Sequence, residues 1–250
     1  MQAYLTLTRR ELAGYFLSLT GYVILAASMF LMGFSFVVLL VKLQRDPTPM
    51  PITELFYVTP FFWFILLLSA PVITMRLFAL EKFSGTFETL MTAPVSDRQV
   101  VLAKFTAGMI FYCVLWLPLV GCLWIIKQYT SNTAGFDPAV VSSTLAGILL
   151  LGCLFVSLGC CASALTRSQV TAAVLSLGFG TSLFLLGVLA DRVPVQATWQ
   201  AEVLASLSFF EQMHDFARGV IDTRAVVLYL SLSFFFLFLT LRVVESRRWK

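Results

Sequence analysis

The sequence predicts an all-α, polytopic membrane protein with six transmembrane helices, and three observations carry that prediction. Apolar residues make up 59% of the chain and charged residues only 12%, with a mean hydropathy of +0.91, a balance outside the range of soluble domains. The apolar residues are gathered into runs of about 20, the length an α-helix needs to cross a bilayer. Basic residues crowd into alternate connections, the asymmetry that orients membrane helices. These runs place spans at about 19–41, 55–75, 100–126, 139–166, 169–190 and 225–243 within a single transmembrane domain covering 1–250.

Residues 3–18 precede the first span. Leu5, Leu12, Phe16 and Leu19 line one side of a helical projection, with Thr6 and Arg10 opposite. That pattern predicts a helix lying in the membrane interface. The run from Leu19 to Val41 exceeds a signal-peptide core and reads as an uncleaved first span. Lys42 to Thr53, with three prolines, is a turn-rich loop. Span two follows with Pro60 and Pro71 inside it, and each removes a backbone hydrogen bond, so kinks are expected.

The stretch 76–98 is a polar interval with basic edges. Phe83, Phe87, Leu90 and Met91 recur at helical spacing while Glu81, Gly85 and Glu88 fall on another side. A short amphipathic helix ending before Pro94 is predicted, and Ser96 to Gln99 reads as a capping box that opens span three. After it, Asp137-Pro138 supplies the N-cap and first-turn proline of span four. Only Arg167-Ser168 separates spans four and five, which forces an antiparallel hairpin. Small residues form stripes at Ala172, Ser176 and Gly180 on span five and at Gly152, Gly159 and Ser163 on span four. Such stripes let helices approach closely, within one subunit or across a dimer. The segment 191–224 interleaves Leu204, Leu207, Phe209, Phe210, Met213 and Phe216 with polar residues, which predicts short helices dipping toward the membrane.

Charge sets the sidedness. Arg9, Arg10, Arg76, Lys82, Arg98, Lys104, Arg167, Arg242, Arg247, Arg248 and Lys250 fall on the side of the 76–98 segment. Lys42, Arg45, Lys127, Arg192, Arg218 and Arg224 fall on the other. The first side, with both termini, is therefore expected to be cytoplasmic. A net charge of +4 distributed in this way follows membrane topology and speaks against a nucleic-acid partner.

Chemistry-bearing patterns are sparse. No Gly-x-x-x-x-Gly-Lys-Ser/Thr loop occurs, so any driving nucleotide belongs on another polypeptide. The single histidine stands in Glu211-x-x-His214-Asp215, which has the spacing of a carboxylate metal site. It lacks companion carboxylates from facing helices and reads as a polar helix face. The five cysteines all lie in apolar runs and read as small packing residues. No Ser-His-Asp arrangement is recognisable, and the spans hold few ionisable groups, which disfavours an enzyme and a proton-coupled carrier.

The pattern Glu81-x-x-x-Gly85-Thr86-x-Glu88-x-Leu90, followed by Pro94-Val95, resembles the coupling-helix segment of ABC-2 type transporter permeases. TLTRREL with Tyr15-Phe16 and Tyr22-Val23 resembles the amino-terminal elbow helix of the same proteins. Phe209-Phe210 through Asp222, with the closing Glu245-Ser-Arg-Arg-Trp, resembles a subgroup that includes gliding-motility-associated permeases. The resemblance implies a non-catalytic permease, an exporter of unknown substrate in the bacterial inner membrane. It also implies a partner dimer of ATP-binding subunits that carries ATP and Mg, and a second permease copy. The cytoplasmic coupling helix would contact the ATPase subunit through Glu81, Gly85, Thr86, Glu88, Leu90 and Met91. No cofactor or metal is expected in this chain, and membrane lipid surrounds it. The alternative is an ATP-driven mechanical or scaffolding component that acts on an envelope partner without transport.

Overall fold

A computed structural model describes residues 2–45, 52–87, 95–129, 137–192 and 207–248. The helices in chain order are α1 (Gln2–Phe16), α2 (Leu19–Arg45), α3 (Ile52–Tyr57), α4 (Pro60–Thr74), α5 (Ala79–Ser84), α6 (Asp97–Tyr129), α7 (Pro138–Leu165), α8 (Gln169–Arg192), α9 (Phe209–Ala217) and α10 (Thr223–Arg248). No strand occurs among the described residues. Six helical stretches are long and apolar enough to cross a membrane: Leu19–Lys42, Pro60–Ser84, Asp97–Gln128, Pro138–Leu165, Gln169–Leu189 and Thr223–Ser246. The chain is an all-α, multi-pass membrane protein.

Local signals start several of these helices. Ser96 and Gln99 form a reciprocal capping box, Ser96 N donating to Gln99 Oε1 (3.3 Å) and Gln99 N to Ser96 Oγ (3.4 Å). Asp137 Oδ1 accepts from Ala139 N at 2.9 Å, and Pro138 occupies the first turn, where its missing N–H costs nothing. Span two departs from expectation at its start. Pro60 does not kink a helix but begins one: α3 ends at Tyr57, Thr59 is extended, and Pro60 sits in the first turn of α4. The residue before a proline is pushed out of the helical region, so the chain breaks there rather than bending. Pro71 does lie inside α4, which ends one turn later at Thr74.

Helix α7 is the axis of the bundle. It packs on α10, α8, α4, α6 and α9, and it and α4 are the most enclosed spans, whereas α2, α8 and α10 present most of their length outward. Its small residues explain why. A methyl group at Gly152 would overlap the Tyr112 ring from α6, and one at Gly159 would overlap Thr74 from α4. These close approaches supply packing, since lipid offers apolar side chains no less favourable a home than a neighbouring helix. The stripe on α8 faces the same way. Ala172 and Ser176 are buried, and Gly180 lies against Phe155 of α7.

At the end opposite the termini, α9 folds back into the bundle. Phe209, Met213, Phe216 and Ala217 share one buried face. The helix-end carbonyls find side-chain donors on other helices: Ser143 Oγ to Phe216 O at 2.6 Å and Thr53 Oγ1 to Ala217 O at 2.9 Å. The reversal that follows passes through Gly219 at φ +90°, a conformation that favours glycine. The cysteines are free thiols, Cys160 buried and Cys113 exposed. Among the described residues, no three His, Cys, Asp or Glu side chains converge as a metal site.

Candidate functional site

The end of the bundle that carries both termini holds an unusual concentration of charge inside the fold. After α4, the chain turns through 75–78 and enters α5. The first amides of α5 are satisfied from outside the helix: Ser163 Oγ of α7 accepts from Phe78 N (3.1 Å) and Ala79 N (3.2 Å). Lys82 Nζ donates to the Ala164 carbonyl, one of the acceptors left open at the end of α7. Thus α5 is clamped across the C-terminal end of α7 at both of its ends.

Helix α5 is shorter than the expected amphipathic helix. It stops at Gly85, whose φ of +75° places it in the left-handed region that ends helices. The consequence is that Phe83 and Phe87 do not share a face. Phe83 is 77% exposed while Phe87 is buried, with the Lys82 ammonium 5.3 Å from its ring centre. Ser84, Gly85 and Thr86 are exposed beside Phe83, and Thr86 Oγ1 lies 2.9 Å from Ser84 Oγ. The expected positions Glu88, Leu90 and Met91 lie outside the described residues.

Glu81 points the other way. Its Oε2 lies 3.0 Å from Lys104 Nζ of α6, and its Oε1 accepts from Arg10 Nη2 of α1 at 2.7 Å. Glu11 completes the cluster, 3.1 Å from Lys104 and 2.8 Å from Arg10. The Lys104 side chain is 2% exposed and the two carboxylates 15% and 14%, while Arg10 is 53% exposed, so a buried ammonium meets two largely buried carboxylates that a water-facing guanidinium covers from outside. The Lys104 contacts are held by charge rather than by aligned hydrogen bonds, and the Phe78 ring flanks the ammonium at 5.4 Å. Partial burial pulls the Arg10 guanidinium down. The hydrogen bond and charge of Glu11, then those of Glu81, outweigh it and leave its pKa above the ordinary value.

Around this node α1 is fastened by tyrosine hydroxyls. Tyr4 Oη donates to Thr106 Oγ1 at 3.0 Å, and Tyr15 Oη donates to Ile73 O at 2.7 Å with its ring stacked on Phe111. Burial holds the Tyr15 phenol well above its ordinary pKa, so it remains a donor. Leu5 and Leu19, expected on the apolar side, are 62% and 80% exposed. The docked face of α1 is mixed, with Thr8 and Tyr15 buried and Leu7 and Phe16 packed on the core, while Thr6 and Arg10 remain exposed.

Sequence reasoning missed Lys104, Glu11 and Ser163 as members of this site. A lone lysine within the apolar run VVLAKFTAG demands a buried partner, and that demand was a readable signal. Which acids answer it was not. Among the described residues of this site, no side chain is arranged as a nucleophile with its base. The arrangement ties three helices to a short exposed tip, Phe83 to Thr86, that is free to meet another surface.

A family model described as ABC-2 family transporter protein matches residues 25–240. The chain belongs to the ABC-2 transporter family. It is thus a membrane permease component of an ABC transporter, in a family that typically works with an ABC ATP-binding subunit. No curated protein matches the chain.

Proposed function

We propose that this chain is the permease subunit of an ATP-driven ABC-2 exporter, working as a dimer of permeases with a pair of separate ATPase subunits that carry ATP and Mg. The α5 tip is the coupling contact, and α1 is the elbow helix. The observation that carries this reading is the exposed Phe83-Ser84-Gly85-Thr86 tip, braced through Glu81 to α1 and α6. A tip on a loose loop would absorb a push. A tip bolted by a buried charge to the long helix α6, and by a second ion pair to α1, passes displacement to the spans, which rock as rigid bodies. Gly85 and Thr86 face the partner, and Glu81 acts within the chain as part of the brace.

Orientation follows from charge. Arg9, Arg10, Arg76, Lys82, Arg98, Lys104, Arg167 and Arg242 gather at the terminal end, which supports a cytoplasmic side for that end, with the chain in a bacterial inner membrane as part of the same proposal. The resemblance of Phe209 to Asp222 to gliding-motility-associated permeases extends the same reading to that subgroup.

The test is purification of the tagged full chain from its native membrane in mild detergent, for wild type, Phe83→Asp and Ser84→Cys. Wild type should bring down a Walker-motif subunit with ATPase activity. Phe83→Asp should lose it, and Ser84→Cys should crosslink to it through a short thiol-to-amine reagent. Failure of wild type to retain any ATPase under conditions that preserve membrane complexes rejects the reading.

A further inference from the structure

Away from the Glu81 brace, the same end of the bundle carries an open groove of about 360 Å³ between the start of α6 and the end of α10. Arg98 and Arg242 stand at its rim with Glu245, and its walls include Leu102, Phe234 and Phe238. Those wall residues are 47%, 73% and 43% exposed, so the groove opens sideways from the bundle rather than into it.

We propose that this groove is a binding site for an anionic phospholipid, with the phosphate on Arg98 and Arg242 and an acyl chain along α10. Three observations select that occupant. The basic pair lies at the end of two spans, where a head group sits. From Arg242 to Phe234 the α10 wall runs inward for eight residues, about 12 Å of apolar surface parallel to the span. The charge at the rim is two guanidiniums against one carboxylate, a net positive site. Arg242 is oriented in advance: its guanidinium lies 4.9 Å from the Phe238 ring centre and 3.0 Å from Glu245 Oε2. Arg98 is exposed and has no ion-pair partner among the described residues, which leaves its planar fork open to phosphate oxygens. Glu245 tunes the site by cancelling one of the two charges.

The magnitude follows from that balance. One net basic charge near an anionic head group favours it over a zwitterionic one by about five-fold. Full-length protein equilibrated in mixed phosphatidylglycerol and phosphatidylcholine micelles and read by native mass spectrometry should retain phosphatidylglycerol with about that preference in the first-bound lipid. Arg98→Gln brings the net charge to zero and should abolish the preference. Glu245→Gln raises it by one and should strengthen the preference by about another five-fold. Leu102→Trp fills the groove and should lower retention of both lipids. Arg167→Gln, at the same end but outside the groove, should change nothing. Equal retention of the two lipids by wild type, or a preference that survives Arg98→Gln, overturns the proposal. Displacement of the lipid by millimolar inorganic phosphate also overturns it, since the site then recognises a free anion.

Discussion

Replacing Lys104 by methionine keeps the length of the side chain and removes the charge that sits between Glu11 and Glu81. Each carboxylate oxygen lies about 3 Å from Nζ, and at an effective dielectric of 20 each contact is worth roughly 5 kcal/mol before desolvation. Returning the ammonium to water recovers most of that. Measured losses for breaking a buried pair run about 3–5 kcal/mol because the stranded partner stays charged. Here Arg10 remains at 2.7 and 2.8 Å from the two acids and neutralises one of them, so the expected loss is about 2–3 kcal/mol. For a chain of this size that corresponds to a fall of roughly 5–10 °C in Tm. The assay is thermal unfolding in detergent, followed with a thiol-reactive dye that labels Cys160, which is buried in the folded protein. Glu81→Gln combined with Lys104→Met should cost less than the sum of the two single changes, with a coupling above about 1 kcal/mol. A Lys104→Met protein within about 0.5 kcal/mol of wild type, or strictly additive changes, would refute the view of this cluster as a brace.

Ser163→Ala strips the acceptor from two α5 amides and should cost about 1 kcal/mol. Hydrogen exchange should accelerate at Phe78 and Ala79 and leave the centre of α7 unchanged. Gly152→Ala forces a methyl group into the Tyr112 ring and should destabilise by about 1–3 kcal/mol. Pairing it with Tyr112→Leu, which vacates that space, should recover part of the loss in the same unfolding assay.

Much of the fold was legible because the relevant physics is local. Hydropathy marks the spans, since a backbone in lipid must satisfy its own hydrogen bonds and a helix does so within one run of residues. The Ser96–Gln99 box and the Asp137 cap were readable for the same reason: donor and acceptor lie within three residues of each other. The two local misreadings, at Pro60 and Gly85, came from taking apolar or amphipathic continuity as stronger than backbone preference. In both places the backbone prevailed, through the extended residue before a proline and the left-handed glycine.

What the sequence by itself determined is the membrane class, the number of spans, several helix starts and the concentration of charge at one end. Only the tertiary structure decided where that charge goes. Glu81 turns inward to Arg10 and Lys104, and Ser163 caps a helix 85 residues away in sequence. It also decided that α1 docks by a mixed face of Leu7, Thr8, Tyr15 and Phe16. Periodicity states which residues share a side of a helix but not what lies opposite. In a chain this apolar, lipid and protein are equally acceptable neighbours, so hydropathy cannot tell an inward face from an outward one. The polar contacts that do make the distinction, Glu11 with Lys104 and Tyr15 with Ile73, join residues far apart in sequence and exist only once the helices are packed.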